Sequence, residues 1–166
     1  MRAHLGTFFA FFIGTSVATQ GGHIASAAWY RMPASMCEEG FLYWGADNDT
    51  VSNGFGYDAY DANSFLSCPF LSTDTFQPDD VTTLGVYVND NTSTHYIGAK
   101  ACWAAFGTST YSCGAEAKTT HAQTGYVTLN PSLTEWAGVS LAMGYISLWV
   151  GGEGGDAHVR GIYAST

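Results

Sequence analysis

Basic residues are scarce. Arg2, Arg31, Lys100, Lys118 and Arg160 are the five cations of a 166-residue chain that carries fourteen Asp and Glu, a formal charge of −9. Duplex binding needs clustered Lys and Arg to neutralise phosphates, so nucleic acid is excluded as a partner, and an anionic membrane surface is disfavoured for the same reason. Charge of either sign is low at 11%, beside 46% hydrophobic residues, which excludes an acidic disordered chain. The four prolines, Pro33, Pro69, Pro78 and Pro131, each fall near an expected strand edge or turn and mark boundaries rather than a linker. No internal repeat appears, which excludes solenoids and propellers. At this length one domain is expected, able to bury roughly two-thirds of the surface its unfolded chain exposes.

No apolar run is long enough to cross a bilayer as a helix. The longest at the N-terminus, Leu5 to Ala18, follows Arg2 and contains Phe8, Phe9, Phe11, Phe12, Ile13 and Val17. A basic start, a short apolar stretch and the small-residue pattern Ala25-Ser26-Ala27 predict a secretory signal peptide over residues 1–27, with Ser16-Val17-Ala18 as a competing cleavage site. Its removal takes away one cation and no acid, leaving residues 28–166 at −10 as a single acidic, secreted domain. The uncharged stretch Trp136 to Gly152 is interrupted by Ser140, Ser147, Gly138 and Gly144 and is read as two successive strands, so no membrane span is expected in the mature chain.

Tight C-x-x-C spacing is absent, which argues against zinc. Four cysteines, Cys37, Cys68, Cys102 and Cys113, remain in an exported chain, and an even count there reads as two disulfides. Three pairings are possible. The turn-like Gly107, Thr108, Ser109 and Thr110 would let Cys102 face Cys113 across a hairpin, which leaves Cys37 with Cys68.

Helical periodicity is hard to find beyond Phe41, where short apolar runs alternate with Gly, Asn, Asp, Ser and Thr clusters. The text predicts strands over 41–46, 64–68, 83–89, 94–105, 112–118, 123–129, 137–142, 143–150 and 157–164, an all-β antiparallel sandwich of jelly-roll type. Leu84, Val86 and Val88 alternate with Thr83, Gly85 and Tyr87, and Ile146, Leu148 and Val150 alternate with Tyr145, Ser147 and Trp149. One conflict stands out. Ile97, Ala99, Ala101 and Trp103 read as inward, which turns Cys102 outward, whereas Cys113, Ala115 and Ala117 read as inward on the partner strand. A bulge, or a strand covered on both faces, would resolve it.

No catalytic signature is present. There is no H-E-x-x-H, and Gly138-Val139-Ser140-Leu141-Ala142 falls short of a nucleophile elbow. His95, His121 and His158 are scattered, and Glu116, Glu135 and Glu153 could supply a carboxylate pair only if folding set their separation. Acid-rich loops holding Asp47, Asp49, Asp58 and Asp61 offer hard oxygen ligands of the kind calcium takes, although the EF-hand pattern fails and Asp and Asn also favour turns. Gly151-Gly152-Glu153-Gly154-Gly155-Asp156 matches a calcium nonapeptide once, without the stacked second copy such a site needs. Asn48 and Asn91 begin N-glycosylation sequons. Aromatics are the unusual feature, with 5 Trp and 10 Tyr. Tyr145 and Trp149 share one face of a strand about 13 Å apart, a row suited to stacking on sugar rings or to packing between subunits.

Pro33-Ala34-Ser35-Met36-Cys37, Cys68-Pro69, Ala101-Cys102 with Cys113-Gly114, Leu129-Asn130-Pro131-Ser132-Leu133 before Trp136, and Arg160-Gly161-Ile162-Tyr163 together span most of the mature chain. In these the chain resembles a group of uncharacterised small exported bacterial β-sandwich proteins. The resemblance implies fold and export and brings no activity. The expected function is a secreted, non-catalytic recognition module for glycan or an extracellular surface, with Tyr145 and Trp149 as contacts. The alternatives are a self-assembling subunit of a filament, coat or matrix and, third, an extracellular hydrolase.

Overall fold

A computed structural model describes residues 29–39, 50–52, 56–59, 63–70, 76–105, 107–120, 123–139, 142–152 and 157–166. The expected signal peptide and the strand expected over 41–46 lie outside the described residues. The strands are β1 (Trp29–Pro33), β2 (Glu38–Glu39), β3 (Thr50–Ser52), β4 (Tyr57–Ala59), β5 (Ser64–Pro69) and β6 (Thr83–Asp90). They continue with β7 (Ile97–Ala104), β8 (Tyr111–Cys113), β9 (Ala117–Lys118), β10 (Gln123–Leu129), β11 (Met143–Val150) and β12 (Ala157–Ser165).

Two antiparallel sheets result. The first runs β10-β6-β12-β4-β3 with β1 also on β12, and the second runs β2-β5-β11-β7-β8 with β9 also on β7. From β4 to β7 each successive strand crosses to the other sheet, and β10, β11 and β12 do the same, which is the double Greek key of a jelly roll. The alternation seen in sequence drives this packing. Ile146, Leu148 and Val150 of β11 and Val86 and Val88 of β6 are fully buried between the sheets. Each such side chain contributes about 1.5–3 kcal/mol relative to exposure.

The two ends of the sandwich are closed differently. At one end Trp136 is fully buried against Phe70, ring centroids 4.9 Å apart, and its indole N–H donates to the Cys102 carbonyl at 2.7 Å. Here the expected strand over 137–142 is corrected: residues 134–138 are turns, and Gly138 has φ +74°. Burying Trp136 requires a turn that strand periodicity would not supply. At the other end Asp90, the last residue of β6, is completely buried. It accepts from the Thr92 N–H at 3.1 Å, from the Thr92 hydroxyl at 2.7 Å and from the Thr119 hydroxyl, which in turn accepts from the Ile97 N–H at 2.8 Å. These bonds tie the end of β6 to the start of β7.

Both disulfides form as expected, Cys37–Cys68 and Cys102–Cys113. Cys68 lies on the core face of β5, whereas Cys102 opposes Tyr145 on the outer side of β11. The conflict noted over 94–105 is settled by a bulge. Cys102 pairs in register with Cys113 but Ala99 with Ala117, so one extra residue on the β8–β9 side lets Cys113 face outward and Ala117 pack on the core.

Candidate functional site

The outer face of the first sheet carries a groove of about 780 Å3, within the size range of small-ligand sites. Its lining includes Trp29, Arg31, Tyr87, Arg160, Gly161 and Tyr163. Strand register explains how residues distant in sequence converge. Tyr87 of β6 and Pro33 of β1 both pair with Gly161 of β12, and Arg31 and Gly85 both pair with Tyr163. Gly161 brings no side chain to the floor between Tyr87 and Pro33. Gly85 is the seat of the Tyr163 ring: a Cβ there would fall within the ring's van der Waals envelope. The missing side chain at Gly161 therefore leaves a depression in a face otherwise studded with aromatics, and Gly85 seats the Tyr163 ring beside it.

The walls are open to solvent. Tyr87 and Tyr126 lie ring against ring, centroids 5.1 Å apart and 10° from parallel, each 45% exposed, and Trp29 is 63% exposed. Arg160 is held from two sides: its Nε donates to the Tyr126 hydroxyl at 3.1 Å, and its Nη1 lies 3.3 Å from Asp58 Oδ1. The same carboxylate oxygen is 2.7 Å from His158 Nδ1. The arrangement offers flat apolar faces, hydroxyls and guanidinium donors in one strip, the set of groups that grips a pyranose ring and its hydroxyls.

The sequence-expected residues lie elsewhere. Tyr145 and Trp149 do share the outer face of the second sheet. Both are half-buried, and the Trp149 ring packs on Phe65 at 4.4 Å, tilted by 58°. Burial pushes the Tyr145 hydroxyl above its usual pKa, and neighbouring Tyr111 adds to the shift. Of the four carboxylates read as calcium ligands, Asp58 is buried in β4 and engaged by His158 and Arg160, while Asp47, Asp49 and Asp61 lie outside the described residues. Among the described residues no group of three or more His, Cys, Asp and Glu is placed to hold a metal ion. Glu116 stands 4.0 Å from Lys100 on the second sheet, remote in the fold from the His158–Asp58 pair of the first.

The groove was partly visible in sequence. Alternation in β6 already turned Tyr87 outward beside Gly85. Trp29, Tyr126, Arg160 and Tyr163 carried no comparable signal, because only strand order sets β10 and β12 on either side of β6 and β1 beyond β12.

No family model and no curated protein matches this sequence. Among solved structures, the chain is similar to a low-affinity xylan-binding module, CBM86, from the gut symbiont Roseburia intestinalis. The two are 12% identical with a TM-score of 0.48, over 82% of this chain and 94% of that one, a distance at which the likeness assigns this chain neither ligand nor site.

Proposed function

We propose that this protein is a secreted, non-catalytic glycan-binding module whose site is the groove on the first sheet. The observation that carries the reading is the groove itself: Trp29, Tyr87 and Tyr163 around a glycine floor, beside an arginine anchored by Asp58 and Tyr126. Exposed, pre-oriented aromatics lose little conformational freedom on binding, which suits weak, reversible capture of a polymer. Two disulfides fit an oxidising compartment outside the cytosol. The test is a glycan array followed by calorimetry on the oxidised protein. Wild type should bind one class of oligosaccharide, and Trp29→Ala should weaken it about tenfold with an unchanged melting curve. An array without signal, or affinity indifferent to Trp29→Ala and Tyr87→Ala, would reject the site.

A self-assembling subunit is the second reading, favoured by Met143 and Tyr111 on the opposite sheet, 56% and 69% exposed. Sedimentation at high concentration decides it: a strict monomer would remove the reading.

A further inference from the structure

We infer that the groove selects glycans bearing carboxylate groups, uronic-acid sugars, through Arg31. The inference rests on the glycan-binding reading and narrows its ligand. Cations are rare here, and their placement is uneven. Both described arginines line the groove, whereas Lys100 faces Glu116 and Lys118 sits over the Tyr96 ring, 5.3 Å from its centroid, both on the second sheet. In a chain with fourteen acidic residues, no carboxylate is among the described residues lining the groove.

The two arginines differ in what they can do. Arg160 is tied to Tyr126 and Asp58, so its charge is offset and its position fixed; it is a positioning residue on the wall. Arg31 is exposed and pairs in register with Tyr163, and its side chain makes no hydrogen bond or ion pair among the described residues. Its planar guanidinium matches a carboxylate bidentately, a fit that an ammonium lacks. A uronate ring lying on Tyr163 or Trp29 would bring its carboxylate within reach of that fork while its hydroxyls meet the remaining polar groups. The charge is spent on a local contact. Over longer range the acidic protein repels a polyanion, a repulsion that physiological salt screens beyond about 8 Å.

The experiment compares oligosaccharides from polygalacturonate, alginate and glucuronoxylan with their carboxyl-reduced counterparts, by calorimetry on the oxidised protein at fixed ionic strength. At least one acidic oligosaccharide should bind about fivefold more tightly than its reduced form. Arg31→Gln should abolish that preference, bringing the acidic form's affinity down to that of the reduced form, and Arg31→Lys should restore only part of it. Trp29→Ala should weaken both forms alike. Equal affinity for acidic and reduced forms, or a preference that survives Arg31→Gln, overturns the inference while the groove remains a glycan site if Trp29→Ala still matters. Absence of binding to every member, together with a silent neutral glycan array, overturns both. A sulfated dextran bound as tightly as the uronates, with the same dependence on Arg31, would overturn carboxylate selection in favour of general anion capture.

Discussion

The two outer faces of the sandwich are built from the same vocabulary and do different things with it. Each sheet turns large aromatics away from the core at alternate positions: Tyr87 and Tyr163 on the first, Tyr145 and Trp149 on the second. On the first sheet Gly161 interrupts the pattern, leaving a depression with open aromatic walls, and Gly85 seats the Tyr163 ring. On the second sheet the corresponding rings, Tyr145 and Trp149, are half-buried against their neighbours. Trp149 leans on Phe65, and Tyr145 stands in register with the half-cystine Cys102. Outward direction is thus a property of strand parity, while availability to a ligand depends on what the neighbouring strands place beside each ring.

The comparison can be broken most strongly at the Cys102–Cys113 bridge. Replacing both cysteines by serine should cost about 3 kcal/mol by loop closure, read as a lower denaturation midpoint. Glycan affinity should stay unchanged, since the bridge lies on the sheet opposite the groove; a loss of affinity in the folded variant would show that the faces are coupled. Gly85→Ala acts on the first face. The new methyl must displace the Tyr163 ring, so a loss of about 1–3 kcal/mol of stability is expected together with weakened binding. A variant as stable as wild type would mean that Tyr163 has another seat.

Tyr87→Ala and Trp149→Ala set the two faces side by side. The first should weaken glycan binding about tenfold by removing one stacking face, the second less than twofold. The reverse order would move the site to the second sheet. The smallest effect concerns Tyr145. Its raised pKa means that the folded state holds the phenolic proton more tightly than the unfolded chain does. That contribution is complete below the ordinary tyrosine pKa of about 10 and is lost as pH rises through the folded value. Tyr145→Phe should therefore lessen the alkaline loss of stability slightly, measured by denaturation at rising pH, and leave neutral-pH glycan binding intact.

Strand periodicity carried much of the fold. Residues 83–90, 123–129, 143–150 and 157–165 form strands within a residue of their expected limits, and spacing identified the disulfide partners. Reading failed where local text and tertiary demand diverge. The uncharged residues after Trp136 look like a strand and form a turn, because a buried indole needs both a pocket and the Cys102 carbonyl. Asp58 looks like a loop oxygen and lies in β4 beneath His158 and Arg160, partners about a hundred positions away in the chain. The bulge between β8 and β9 was one of two solutions to a visible conflict, and the register selects it.

Local chemistry alone settles which residues face inward, because a period of two and a hydrophobic core permit one register for each long strand. Cysteine spacing points to which thiols meet, and the fold selects that pairing among the three possible ones. The candidate face is a different kind of fact. A groove is an arrangement of β1, β6 and β12 side by side, and neither the open floor at Gly161 nor the anchored Arg160 exists until antiparallel pairing brings those strands into line. Burial is written residue by residue, whereas a concave surface is created only by the relative placement of strands far apart in the chain.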